Sequence, residues 1–134
     1  MLTMAVGNSD DVDPMAAIEA AIGQCRASLG GLPPRAGMLF SSFDSFQPGV
    51  VAAVREAFPG ATVMGSTSAA EISSVDGYRE DSMTLAMFAS DVVDVTTGLG
   101  RELSRDIETA CRSAAGQALA ATRNEPRVCI MLTD

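Results

Sequence analysis

The apolar positions change period several times along this chain. Leu2 to Val6 is a short apolar run that reads as a strand, and Ser9 to Pro14 is a polar turn. Asp13 offers a capping oxygen and Pro14 suits the first position of a helix. Met15, Ile18, Ala21, Ile22, Cys25 and Leu29 then recur at steps of three and four, which predicts a helix with one apolar face. Gly30-Gly31 ends it and Pro33-Pro34 prevents a restart. Ala36 to Phe40 is a continuous apolar run suited to a strand buried on both faces. Ser41 to Ser45 reads as a loop. Pro48 opens a second helix with Val51, Val54 and Phe58 on one side, closed by Pro59-Gly60, and Thr62 to Gly65 is the next strand. This alternation predicts a parallel β-α-β-α-β start with right-handed crossovers.

Beyond Gly65 the pattern changes. Gly65 to Ser74 is small and rich in hydroxyls, and Asp76-Gly77 is a turn signal. Ser82–Ala89 and Val92–Leu99 read as two strands joined by so short a link that they must be antiparallel neighbours. Ser104 is expected to cap a third helix whose stripe is Ile107, Cys111, Ala114 and Ala118, with a break at Arg123-Asn124. Arg127 to Leu132 is expected to be a last buried strand. The fold class is therefore α/β: a mixed sheet with a parallel start, an antiparallel hairpin, then a helix and a final strand, in a layered α/β sandwich. No internal repeat is apparent. The chain stops at Thr133-Asp134, where that strand would end, so residues 1–134 read as one domain cut short at its C-terminus.

Composition narrows the function classes. The net charge is −8 and every one of the nine basic residues is Arg, so the basic face needed for nucleic acid is missing. An acidic surface also disfavours anionic membranes, and no apolar stretch approaches a membrane span. Aromatic residues make up only 4%, which leaves the core to Ala, Val, Ile, Leu and Met. Cys25, Cys111 and Cys129 lie far apart within apolar patterns and read as buried free thiols in a reducing cytoplasm. The sequence contains no His, which removes the usual base for a Cys nucleophile and the usual partner in a zinc site. No signal peptide is visible in MLTMAVGNSDD. The chain is thus expected to be cytoplasmic, not an enzyme, and without a cofactor. A carboxylate pair such as Glu71 and Asp81 is the remaining acid–base alternative.

Three segments, in order, resemble the FIST domain, named for F-box and intracellular signal transduction proteins. Ser9 to Ala21 looks like the family's opening turn and first helix. Gly37-Met-Leu-Phe-Ser-Ser42 and Phe58-Pro-Gly-Ala-Thr-Val-Met-Gly65 follow. Gly65-Ser-Thr-Ser-Ala-Ala-Glu-Ile72 resembles the family's Gly-x-Thr-Thr-x-Gly-Glu-Ile box, with Ser68 in place of a Thr and Ala70 in place of a Gly. The resemblance implies the N-terminal part of a sensory input domain of bacterial signalling proteins, coupled to a downstream signalling domain or protein. It also implies small ligands such as amino acids. The family's haem-binding branch relies on His, which this sequence lacks.

The best candidate site is Gly65, Ser66, Thr67, Ser68 and Glu71. A loop beyond the carboxyl end of a buried strand is where open α/β sheets place ligands. The hydroxyls and amides suit an anion, and Glu71 suits an ammonium group. An equal alternative is a turn whose hydroxyls bond its own backbone. The segment is not a P-loop, because the Gly-Lys-Ser/Thr element is absent. Asn8, Ser9, Ser41, Ser42 and Asp44 follow the other two strands and are candidates on the same edge. Tyr78 offers a ring to stack on a ligand or partner. The rival reading is an interaction or scaffold domain with no small ligand. An unpaired sheet edge would also favour homo-oligomers.

Overall fold

In the computed structural model, residues 1–133 are described. They separate into two compact units, 1–92 and 93–134. In the first, the Asp13 side chain accepts from the Met15 N–H, and helix α1 runs from Pro14 to Leu29, ending on Gly30 in the left-handed conformation. Strand β1 (Leu2–Ser9) precedes it, and β2 (Ala36–Ser42), α2 (Pro48–Ala57) and β3 (Thr62–Ser68) follow. A hairpin of β4 (Ala70–Ser73) and β5 (Gly77–Glu80) comes next, then β6 (Met83–Ser90).

The sheet order is β1-β6-β2-β3. β2 and β3 are parallel, as the crossover pattern predicts, whereas β6 inserts antiparallel between β1 and β2. The expected direct pairing of β1 with β2 is therefore replaced by shared direction across an intervening strand. The antiparallel hairpin is β4–β5, turning at Asp76-Gly77. The link after Ser90 makes no hairpin, and residues 92–99 form no strand. Ala70 opens β4 without the positive φ that a glycine there would permit.

Strand parity separates the two faces of the sheet. Ala5, Met83, Leu85, Met87 and Leu39 pack with Ile18, Ala21, Cys25, Val50 and Val54 into one core beneath α1 and α2. The helix backbone approaches so closely that a Cβ on Gly7 would lie 2.1 Å from the Ala21 carbonyl oxygen. The Gln24 amide clamps the neighbouring backbone: its oxygen accepts from the Asn8 N–H at 3.0 Å and its nitrogen donates to the Asn8 carbonyl at 2.9 Å.

The second unit holds helix α3 (Ile107–Ala121). Its cap is Asp106, not Ser104; the Asp106 carboxylate accepts from the Thr109 N–H at 3.0 Å, which lowers its pKa. Only Ala110 of this helix is buried, and Ile107 is exposed. The expected last strand, 127–132, is not a strand and is mostly exposed; Cys129 is exposed and Cys111 half-buried, which corrects both burial expectations. A Cβ on Gly98 would lie 1.9 Å from the Ala114 carbonyl oxygen, and the Gln117 amide brackets the Leu99 backbone. This is the Gly7–Ala21 contact and the Gln24 clamp over again. A repeated device is thus present where none is apparent from sequence: a glycine under a helical alanine, with a glutamine three residues later holding the next backbone group.

Candidate functional site

A cleft of about 240 Å³ lies between α2 and the β2–β3 edge of the sheet. Its walls are apolar: Leu39 and Val63 from the strands, Val51 and Val54 from α2, and Phe46 from the loop between. Its polar groups are Ser41, Arg55 and the run Gly65, Ser66 and Thr67. Parity explains the arrangement, because Leu39, Ser41, Val63, Gly65 and Thr67 all share the helix-covered face. Gly65 is required by a close approach: a Cβ there would lie 1.9 Å from the Leu39 carbonyl oxygen.

Some polar groups of the cleft make no hydrogen bond to a described residue. The Thr67 hydroxyl and the Arg55 guanidinium bond to none. Ser41 is a buried residue whose side chain borders the cleft. Ser66 donates to the Thr67 carbonyl. Helix α2 begins without a side-chain cap, since Gln47 makes no such bond, and its first turn holds no acid. Pro48 has no N–H and the Val50 N–H donates to the Gln47 carbonyl at 3.0 Å, so few amides of that first turn are left free.

Ser68 and Glu71 fall elsewhere. Ser68 lies on the opposite face from Thr67, in register with Ser42, whose N–H donates to the Ser82 carbonyl at 3.1 Å. The buried Glu71 carboxylate accepts from Ser68 and Ser82, both at 2.5 Å. Ser68 ends β3 and Ser82 immediately precedes β6, the two strands that flank β2, so the β4 carboxylate ties their ends together. Ser42 donates sideways to Ser45 at 2.8 Å. This is a side-chain clamp, closed by its own residues.

The remaining candidates are scattered. Ser9 accepts from the Asp11 N–H in the turn before α1, and Asp44 is exposed in the loop after β2. Tyr78 is exposed on β5, opposite Ile72, and donates to Glu80, which pushes its pKa up. Asn8 is buried; its amide nitrogen donates to Thr84 at 2.6 Å while its oxygen has no partner. Among the described residues no acid, Cys or His cluster is fit to hold a metal. No helix among them is long and apolar enough to cross a membrane.

Sequence reasoning missed Arg55 and the apolar walls as cleft residues. The available signal is the spacing on α2: Arg55 follows Val51 by four, on the same side of the helix.

These features define a mixed α/β domain with a small, hydroxyl-bearing cleft at a sheet edge. Residues 35–134 match the FIST N domain, and the chain belongs to that family. The family is one of signal-transduction sensory domains. The match covers the second and third segments of the resemblance but not Ser9–Ala21. None of the curated proteins matches the chain.

Proposed function

We propose that this domain is the ligand-sensing input module of a bacterial signal-transduction protein, acting in the cytoplasm without enzymatic chemistry. In this reading a small molecule of amino-acid size occupies the α2–β3 cleft, and its occupancy is read by a downstream signalling domain or protein. The observation that carries the reading is the cleft itself, apolar walls enclosing a few polar groups, Ser41, Arg55 and Thr67, at the sheet edge. Apolar walls bury the body of a ligand while a few placed polar groups fix its orientation, the usual makeup of a small-molecule site. The test is thermal unfolding of the chain against a library of small metabolites. A ligand present at 100 times its dissociation constant should add about 2.7 kcal/mol. Failure of every compound to raise the midpoint would refute it.

A second reading has its own support. In the β4–β5 hairpin Glu71 and Ser73 are buried while Ile72 and Tyr78 face solvent, 82% and 61% exposed. This inverted pattern favours a protein-contact face. Loss of a pull-down partner in an Ile72→Ser, Tyr78→Ser variant that keeps its ligand shift would favour it.

A further inference from the structure

We propose that the α2–β3 cleft takes a small aliphatic carboxylate that carries no ammonium group. The proposal rests on the ligand-sensing reading and specifies its chemistry.

The lining selects by charge. Arg55 is its one ionisable side chain, and it has no ion pair or hydrogen bond to a described residue. No Asp or Glu lines the cleft. A zwitterion would therefore find a counter-charge for its carboxylate but none for its ammonium group, which would be desolvated without a partner. Asp44 and Glu56, the acids nearest the lining in sequence, are exposed and do not border the cleft, and Glu71 has one oxygen engaged by Ser68 and the other by Ser82.

The lining also selects by shape. Leu39, Val51, Val54 and Val63 form apolar walls suited to an aliphatic body. A volume of about 240 Å³ corresponds to about eight waters, which is small for a nucleotide. Ser41 and Thr67 provide hydroxyls for a carboxylate, carbonyl or hydroxyl oxygen. A guanidinium suits a carboxylate because its fork matches the two oxygens.

The test uses three probes with one branched body: 4-methylpentanoate, 4-methylpentanamide and leucine. Binding to the chain is followed by calorimetry and by valine methyl shifts in NMR spectra. We expect the carboxylate to bind at least about tenfold more tightly than the amide or leucine. R55Q should bring its affinity down to that of the amide while the methyl spectrum stays folded. V51F, which fills the cleft, should abolish binding of all three. Leucine binding as tightly as the carboxylate, or R55Q without effect, would overturn the proposed ligand class and leave the sensing reading intact. If none of the probes binds, and a broader metabolite library gives no V51F-sensitive binding, both fall.

Discussion

Replacing Glu71 separates a clamp from a receptor. In Glu71→Ala, Ser82, which is 1% exposed, loses its acceptor in a place water does not reach, at a cost of about 1–3 kcal/mol. Ser68 is half-buried and recovers part of its loss by turning to solvent. The Glu71 Cγ methylene leaves the packed interior and adds roughly 0.8 kcal/mol. Relief of the buried carboxylate's desolvation offsets part of this sum. The net expectation is a loss of about 2–3 kcal/mol. Glu71→Gln keeps the shape and one acceptor, so it should lose about 1 kcal/mol. Tyr78 is the only tyrosine in a chain without tryptophan, and it lies on the same hairpin, so its fluorescence reports the transition. In urea the Ala variant should shift its midpoint by about 1–2 M at constant slope. A Ser82→Ala, Glu71→Ala double-mutant cycle should show coupling of about 1 kcal/mol or more. Glu71 does not border the cleft, so any change in ligand affinity should be smaller than the loss of stability. A Glu71→Ala protein within 0.5 kcal/mol of the parent, or one that loses ligand while keeping its stability, would refute the clamp.

Three further outcomes follow from the packing. Gly7→Ala drives a Cβ into the α1 backbone and should cost about 3 kcal/mol or more, read by denaturation. Gln24→Ala removes both bonds to Asn8; we expect a loss of about 1–2 kcal/mol and much faster hydrogen exchange at the Asn8 amide. Burial pushes the Cys25 thiol from 9.0 up to about 11, so at pH 8 Cys129 should be modified by a thiol reagent well before Cys25. Between those values the unfolded chain gives up the proton that the folded chain keeps. Stability is therefore fully present below pH 9 and declines toward pH 11, a slope that Cys25→Ala should remove.

The elements of residues 1–68 were legible because local signals agree with the packing they serve. Asp13-Pro14 and Gly30 bound α1, and Pro48 starts α2. Pairing order was less legible. β6 reaches its place between β1 and β2 from far along the chain, and no local pattern encodes that contact. Periodicity alone did not make strands of 92–99 or 127–132, since an apolar run needs a neighbouring strand to pair with. The candidate segment was found as a stretch but not as a geometry. One step of strand parity sends Thr67 to the cleft and Ser68 to the clamp. Arg55 escaped notice because its role depends on which strand α2 overlies.

The adjacency of Thr67 and Ser68 has a mechanical consequence. The cleft on one side of the sheet and the carboxylate bridge on the other meet at a single peptide bond of β3, between Thr67 and Ser68. A rotation of that peptide tips both side chains at once, in opposite senses. Under the proposed sensing role, a ligand beneath α2 would thus have a route through the sheet to the hairpin bearing Ile72 and Tyr78, the thickness of one backbone away.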